Sequence, residues 1–219
     1  MIDIRNFDAV IFDMDGLLLD TERVFFNAFL DACESLGVPK QPEVFLRLME
    51  QNHAAVQTIL RERLIGVTDL SAFETHWDEL ANKTMQRDGI ALKPGVQELL
   101  AALHVHPKRM AVATSTRTPR ALWKLKGHNI THFFAHIIGG DQVAKSKPAP
   151  DIYLHAANAL GVAPARFLAL EDSKNGVLAA LAAGMTTIQI PDLIPRCNEL
   201  RDAGALKMDS LLDLVKLVR

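Results

Sequence analysis

The stretch "AVIFDMDGLLLDTER", Ala9–Arg23, joins a run of apolar residues to two aspartates that stand two positions apart. An uninterrupted apolar run predicts a short β-strand over Val10–Asp13, of the kind that is covered on both faces of a parallel sheet. Asp13 and Asp15 then lie where this strand ends. Two carboxylates that face one small volume repel each other unless a cation, such as a metal ion or a lysine, lies beside them. The stretch therefore predicts either a solvated turn or a charged site.

Short apolar runs of the same kind recur along the chain and alternate with helical patterns. Each run ends in polar residues, glycine or proline, and the runs lie at residues 109–116, 136–141, 166–172 and 186–191. The helical patterns between them lie at residues 94–106, 150–161 and 173–184. This alternation is typical of an α/β fold, a doubly wound, Rossmann-like parallel sheet with right-handed crossovers.

The connection between the first two predicted strands holds about 90 residues, far more than a crossover helix needs. Its apolar residues repeat at helical spacing in four segments, at residues 20–37, 43–50, 53–66 and 71–89. Asp20 is a candidate N-cap of the first, and Ser71 with Glu74 has capping-box spacing in the last. We therefore predict an inserted helical-bundle domain over residues 17–91, within an α/β core formed by residues 1–16 and 92–219.

Composition and charge exclude several classes of protein. Of the 219 residues 49% are hydrophobic and 23% are charged, and the formal net charge is −2 with both signs interspersed. Neither nucleic acid nor a membrane surface is expected as a partner. The N-terminus shows no basic and then apolar leader, so a cytoplasmic protein is expected, with a monomer as the default state. Cys33 and Cys197 are expected to be reduced, buried thiols.

Polar side chains follow each predicted strand, and ligands of parallel sheets bind beyond these carboxyl ends. They are Asp13 and Asp15, Thr114 and Ser115, the segment 145–148 with Lys147, and Glu171 and Asp172. Carboxylates at Asp13 and Asp172, with Glu171, form a hard oxygen site that suits Mg²⁺. Lysine and strand-end hydroxyls hold an anion.

This set of side chains fits phosphoryl transfer. One carboxylate can attack phosphorus, and a second can protonate the leaving oxygen and later activate water. Each piece alone has a plainer interpretation: a solvated turn at Asp13, a surface lysine at Lys147, or a helix cap at Ser173. Their joint occurrence at successive predicted strand ends favours a shared site.

Four motifs carry a resemblance to a known family: "FDMDGLLLDTE", "VATST", "KSKPAPD" and "LEDSKNGVLAALAAGM". They resemble the signature motifs of the haloacid dehalogenase superfamily, and the helical insertion resembles its C1-type cap. Within the superfamily the chain is similar to the β-phosphoglucomutase-like and pseudouridine-5′-phosphatase-like branch. The resemblance implies a phosphatase that hydrolyses the phosphate monoester of a small sugar- or nucleoside-like metabolite.

The resemblance also implies roles for the motif residues. Asp13 would be the nucleophile that forms an aspartyl-phosphate, and Asp15 the general acid and base. Thr114 and Lys147 would orient the phosphoryl group. Mg²⁺ would be held by Asp13, the backbone carbonyl of Asp15 and the side chain of Asp172. Glu171 would stand in or near this metal shell.

Two alternatives remain open, a phosphomutase and a non-catalytic phosphate-binding protein. The acid at Asp15 favours a phosphate ester as substrate, because a halide leaving group needs no proton. β-Phosphoglucomutases typically carry a histidine where this chain has Phe25, and a Gly-x-x-Arg turn that residues 46–56 lack. These departures favour hydrolysis over the mutase reaction. In the cap, the candidate substrate contacts are Glu22, Arg23, Gln51, Asn52 and His53.

Overall fold

The computed structural model describes residues 3–49, 51, 53–64, 67, 69–106, 108–193 and 198–218. The chain divides into two compact units, which are called here the sheet unit, Met1–Leu19 with Leu92–Arg219, and the helical unit, Asp20–Ala91. The sequence placed Leu17–Leu19 in the helical domain. In the structure these leucines stay with the sheet unit, because they are buried and Leu19 forms backbone bridges with Asp15 and Leu92.

The described elements alternate as expected outside the helical unit. The strands are β1 (Ala9–Phe12), β2 (Arg109–Ala113), β3 (His136–Ile138), β4 (Phe167–Glu171), β5 (Thr186–Gln189) and β6 (Leu206–Lys207). The helices are α1 (Thr21–Ser35), α2 (Pro42–Leu48), α3 (His53–Arg63), α4 (Leu70–Asp88), α5 (Val96–Val105), α6 (Thr118–Lys126), α7 (Asp151–Leu160), α8 (Lys174–Ala182), α9 (Asn198–Asp202) and α10 (Leu211–Val218). The α/β class with an inserted helical bundle is confirmed.

The sheet has the order β3-β2-β1-β4-β5-β6, and every described pair of neighbours is parallel. β1 lies between β2 and β4, and all four of its residues are buried. Strands covered on both faces need apolar side chains at every position, which explains the uninterrupted runs in the sequence. The short strand β6 was not predicted, since its two residues are exposed and follow no apolar run.

One side of the sheet packs against α7 and α8 through a continuous apolar core. Ile11 and Phe167 of the sheet, Tyr153 of α7 and Ala180 of α8 belong to this buried cluster. Small side chains on both helices let them approach the sheet closely. The packing places α7 against β2 and β3, and α8 against β4 and β5.

The helical unit has an aromatic core. The ring of Phe29, which is fully buried, lies 5.8 Å from Phe45, 5.7 Å from Phe73 and 5.3 Å from Trp77, measured between ring centroids. The Trp77 indole N–H donates a 2.8 Å hydrogen bond to the backbone carbonyl of Phe25, which satisfies its polar atom. The apolar residues that the sequence places at helical spacing in the inserted segments therefore form the core of the bundle.

Two caps in the helical unit, those of α4 and α1, differ in part from the predicted ones. α4 begins at Leu70, and the carboxylate of Asp69 accepts a 3.0 Å hydrogen bond from the Ala72 N–H, so Asp69 is the cap instead of Ser71. Asp20 is the N-cap residue of α1, as predicted, but its carboxylate makes no capping bond and instead accepts a 3.0 Å bond from Arg23 Nε. A charged partner one turn along the helix outcompetes the backbone donors at Asp20.

Two further expectations can be placed in the structure. Cys33 is a buried free thiol, and its burial raises its pKa above the ordinary value. Cys197 lies outside the described residues. Among the described helices, none combines the length and the apolar character that crossing a membrane requires.

We expect Phe29→Ala to destabilise the protein by about 3–5 kcal/mol, because it leaves a cavity among three other rings. Urea unfolding followed by circular dichroism measures this change. Leu36→Ala, at a leucine that is 53% exposed, is the control and should stay within about 0.5 kcal/mol of the wild type. Equal stability of the two variants would contradict the assigned core.

Candidate active site

The strand register brings separate motifs to one edge of the sheet. Phe12 lies opposite Val112 of β2 and Leu170 of β4, so the residues that follow these strands are neighbours. The Asp13 N–H donates to the Leu170 carbonyl over 3.0 Å, which continues the ladder to the first aspartate. The predicted juxtaposition at the carboxyl ends is therefore present for the residues that follow β1, β2 and β4.

Lys147 bridges two carboxylates at this edge. Its ammonium donates to Asp13 Oδ1 over 2.5 Å, to Glu171 Oε1 over 2.6 Å and to the Ala113 carbonyl over 3.1 Å. The lysine side chain is only 6% exposed. An ammonium has three N–H groups, and all three are used here. The buried Lys147 thus holds together the carboxylates of Asp13 and Glu171, which follow different strands.

Glu171 is bound by donors on both of its oxygens. Oε1 accepts from Lys147 and, over 2.7 Å, from the Tyr153 hydroxyl. Oε2 accepts from the backbone N–H and the hydroxyl of Ser173, each over 3.0 Å. The sequence had assigned Glu171 to the metal shell. In the structure this fully buried carboxylate accepts from four donors and anchors Lys147, and its place in or near the metal shell stays a prediction.

Ser173 and Gly176 shape the pocket for Glu171. The Ser173 hydroxyl accepts a 3.1 Å bond from the Gly176 N–H and caps α8, as the sequence suggested. The carboxylate of Glu171 thereby lies at the N-terminus of α8, where the helix dipole favours negative charge. A Cβ atom at Gly176 would come within 1.7 Å of Glu171 Oε1, so only glycine fits this position.

Tyr153 is a part of this cluster that the sequence analysis missed. It is the single tyrosine of the chain, it is fully buried, and the centroid of its ring lies 5.1 Å from the Lys147 ammonium. Burial raises its pKa well above the ordinary value, and the nearby Glu171 carboxylate raises it further. The hydroxyl therefore stays protonated and donates to Glu171. The position of Tyr153 six residues after Lys147, on the first turn of α7, was the available signal.

Burial sets the electrostatics of Asp13. It raises the pKa of this carboxyl from 3.8 to about 7, against the opposing effect of the Lys147 ammonium. The nearby Glu171 and Asp15 carboxylates raise it further. Although burial alone lowers the pKa of Lys147, Asp13 and Glu171 outweigh it and hold that pKa well above its ordinary value. An added positive charge beside Asp13 would favour its ionised form.

Asp15 has a separate set of partners. Its Oδ1 accepts a 2.6 Å hydrogen bond from the ammonium of Lys124 on α6, and its Oδ2 accepts a 2.6 Å bond from the Thr116 hydroxyl. Neither partner was singled out in the sequence, where Lys124 looks like one more charge on an amphipathic helix. The two aspartates of the opening motif thus face different lysines.

The remaining sheet-unit candidates are placed as follows. Thr114 is buried, and its hydroxyl accepts a 3.1 Å bond from the Thr116 N–H. Ser115 is exposed. Asp172 is half-buried directly after β4, and its carbonyl accepts a 3.3 Å bond from the Gln189 amide.

The donor set can be tested against a magnesium ion. Within the described residues, no three carboxylate, imidazole or thiolate side chains are grouped closely enough to hold a metal ion by themselves. Mg²⁺ does not require such a cage, since it keeps several waters and binds through one or two carboxylates and substrate phosphate. No described residue donates a hydrogen bond to Asp13 Oδ2 or to the carbonyl of Asp15. These two oxygens and the carboxylate of Asp172, at the neighbouring strand end, are oxygen donors of the kind that Mg²⁺ takes.

The candidate residues of the helical unit are only partly described. Glu22 lines a cavity of about 200 Å³ within this unit, together with Phe25, Phe45 and Trp77. Gln51 is exposed, and its N–H donates to the Leu48 carbonyl. Arg23 is exposed and pairs with Asp20. Asn52 and the side chain of His53 lie outside the described residues, so their assignment stays a prediction.

We expect Gly176→Ala to destabilise the protein by about 1–3 kcal/mol, because the added methyl must displace the buried Glu171 carboxylate. Gly127→Ala is the matched control. No atom lies within 4 Å of a Cβ at Gly127, so its effect should stay within about 0.5 kcal/mol. Urea unfolding of both variants measures the difference, and an unchanged Gly176→Ala protein would show that the carboxylate is not packed there.

The raised pKa of Asp13 gives a pH-dependent prediction for the metal-free protein. Folding favours the protonated carboxyl, so the contribution of Asp13 to stability is fully present below the ordinary pKa of 3.8 and is lost as the pH rises through about 7. In EDTA at pH 8, Asp13→Asn should therefore melt at a higher temperature than the wild type, and the gap should narrow toward pH 5. Differential scanning fluorimetry measures it, with exposed Asp31→Asn as control. A gap that widens as the pH falls would refute this sign.

Comparison with known proteins agrees with the fold and the motifs. The profile described as "Haloacid dehalogenase-like hydrolase" matches residues 10–190. The chain is 35% identical over 217 residues to the phosphorylated carbohydrates phosphatase of Thermotoga maritima, and the match covers 96% of this chain and 99% of that protein. It is 31% identical over 221 residues to hexitol phosphatase B of Escherichia coli, covering 96% and 95% of the two chains.

A solved structure extends the comparison to three dimensions. The crystal structure of CbbY from Rhodobacter sphaeroides in complex with phosphate matches with a TM-score of 0.73 at 33% identity, over 95% of this chain and 96% of that one. Because these matches span both units and all four motifs, the chain belongs to the family of haloacid dehalogenase-like hydrolases.

Proposed function

We propose that this hydrolase is a Mg²⁺-dependent phosphatase that cleaves the phosphate monoester of a small metabolite through an aspartyl-phosphate on Asp13. One observation carries the proposal. Asp13 is buried at a strand end with one oxygen held by Lys147, while Asp15, two residues on, is held by different donors. This arrangement offers a nucleophile and a separate acid within one turn of chain, the two groups that hydrolysis through a covalent intermediate uses.

The first step transfers the phosphoryl group to Asp13. A carboxylate oxygen of Asp13 forms a bond to phosphorus as the bond between phosphorus and the ester oxygen breaks. Protonated Asp15 gives its proton to the departing alkoxide, so the alcohol leaves neutral. Lys147 is adjacent to the attacking carboxylate, and its charge offsets the negative charge on the transferring group. The Thr114 hydroxyl, at the neighbouring strand end, is the proposed donor to a phosphoryl oxygen.

The second step releases phosphate. Ionised Asp15 takes a proton from a water molecule that attacks phosphorus, and the bond between phosphorus and Asp13 breaks. Both enzyme carboxyl groups return to their starting states. Each carboxylate oxygen has two acceptor positions, so Asp15 can bind water or the leaving oxygen while it keeps its contacts with Lys124 and Thr116.

Asp13, the backbone carbonyl of Asp15 and Asp172 are the proposed Mg²⁺ ligands. The ion would supply positive charge that neutralises the phosphate oxygens and keeps Asp13 ionised. The raised pKa of Asp13 in the metal-free protein supports this assignment, since the site favours the neutral acid when only Lys147 balances it. The cation requirement is thus a consequence of burying the nucleophile.

A sugar phosphate is the substrate class that the relatives favour. The relatives at 35% and 31% identity are named for phosphorylated carbohydrates and for hexitol phosphate. We propose that Glu22, at the edge of the aromatic cavity of the helical unit, contributes to substrate choice by accepting hydrogen bonds from hydroxyl groups. Cytoplasmic location and a monomeric state remain predictions from the sequence.

A phosphate-release screen over metabolite phosphate esters, with Mg²⁺ and with EDTA, tests the proposal. We expect Mg²⁺-dependent release from at least one sugar phosphate, and loss of about 10³-fold or more in kcat for Asp13→Asn. Circular dichroism of Asp13→Asn controls for folding. An active Asp13→Asn protein would remove the covalent step. Conversion of β-glucose 1-phosphate to glucose 6-phosphate in the presence of a bisphosphate primer, without phosphate release, would instead identify a mutase.

A further inference from the structure

We infer that Lys124 is a positioning residue for Asp15, and that its charge fixes the orientation in which this carboxyl group acts as acid and base. The inference rests on the proposed function. Lys124 lies on α6, 109 positions from Asp15 in the chain, yet its ammonium donates a 2.6 Å hydrogen bond to Asp15 Oδ1. None of the four sequence motifs contains it.

The burial of Lys124 is unusual for a lysine. Its side chain is only 4% exposed, whereas that of Asp15 is 21% exposed. Lysine is almost never fully buried unless it is paired, because removing its charge from water is costly. Lys124 is therefore oriented inward, with its single described ionic partner at the site.

The pattern of α6 makes the placement more specific. The buried residues of this helix are Ala121, Lys124 and Leu125, which lie on one face at spacings of three and four. Lys124 thus occupies a position where packing alone would select an apolar side chain. Leu122 and Trp123 of the same helix are 45% and 46% exposed, so α6 has large apolar side chains that face outward while Lys124 is buried. A lysine at this position gives up apolar packing and places a positive charge beside Asp15.

The contact constrains rotation of the carboxylate. Lys124 holds Oδ1, and the Thr116 hydroxyl holds Oδ2 over 2.6 Å, so the group is fixed at both oxygens from the segment that follows β2. Lys147 makes no described contact with Asp15 and instead anchors Asp13 and Glu171. Each aspartate of the motif therefore has its own lysine. A proton donor fixed in this way needs less reorganisation when the leaving oxygen arrives.

A purely structural role of Lys124 predicts a different result. Replacing Lys124 alone leaves Asp15 without its ionic partner, which costs stability, although Asp15 is 21% exposed and stays partly hydrated. Lys124→Met should therefore fold with a lower melting temperature than the wild type, and its turnover should fall selectively on substrates whose leaving group needs the acid. A lysine that only stabilised the fold would instead lower turnover equally on all substrates, in proportion to the unfolded fraction.

The test compares leaving groups in the full chain with Mg²⁺. The phenolate of phenyl phosphate is a poor leaving group that needs the acid, whereas the p-nitrophenolate of p-nitrophenyl phosphate leaves readily without it. We expect Lys124→Met to lower kcat by about 10-fold or more on phenyl phosphate and by less than about 3-fold on p-nitrophenyl phosphate, with KM unchanged. The larger loss is a part of the roughly 10²–10⁴-fold that a positioned acid contributes to the rate. Asp15→Asn should show the same selectivity with a larger loss.

Two comparisons complete the design. Lys124→Met added to Asp15→Asn should cause no further loss, because residues that act through one another are not additive. Lys124→Arg should recover part of the activity, and Lys126→Met, at an exposed lysine of the same helix, should match the wild type. If Lys124→Met does not fold, Lys124→Gln provides the same measurement with a polar replacement.

The outcomes separate this inference from the proposed function. A wild-type protein that releases phosphate from no ester would refute the proposed function and the inference with it. An active wild type in which Asp15→Asn is selective for leaving group, but Lys124→Met and Lys124→Gln are not, would overturn the role of Lys124 alone. Additive losses in the double variant would overturn it as well.

Discussion

The buried ammonium of Lys147 is the interaction on which the site depends. It lies between the carboxylates of Asp13 and Glu171, and without it two negative charges would share one dry volume. Removing one partner of such a cluster leaves an uncompensated buried charge, which is strongly unfavourable. Tyr153 and Ser173 complete the hydrogen bonding of Glu171, so the lysine is held by a carboxylate that is itself fully engaged. Asp13, the proposed nucleophile, is oriented by this chain of contacts.

The opening motif is resolved by a division of partners. Asp13 and Asp15 are two positions apart, but one is bound to Lys147 and the other to Lys124 and Thr116. Different surroundings suit two identical side chains to the different tasks proposed for them, nucleophile for Asp13 and proton carrier for Asp15. Asp13 is almost fully buried and Asp15 is partly open to solvent, which suits these roles.

Much of the fold could be predicted from local patterns. The apolar runs located the strands of the parallel sheet because a strand covered on both faces must be apolar throughout. The helical insertion followed from its spacing of apolar residues. The patterns failed where one local contact replaced another, as at Ser71, which gives way to Asp69 as the cap of α4, and at Asp20, whose carboxylate bonds Arg23 instead of the helix backbone. β6 was missed because two exposed residues carry no periodic signal.

The site shows the same division. The sequence by itself determined which carboxylates, hydroxyls and lysine of the motifs stand at strand ends, because chain order and strand polarity fix that edge of a parallel sheet. Only the tertiary structure decided that Glu171 anchors a lysine, that Tyr153 supports it, and that Lys124 of a distant helix holds Asp15. These pairings depend on distances between elements far apart in the chain, and no residue pattern along the chain encodes such a distance directly.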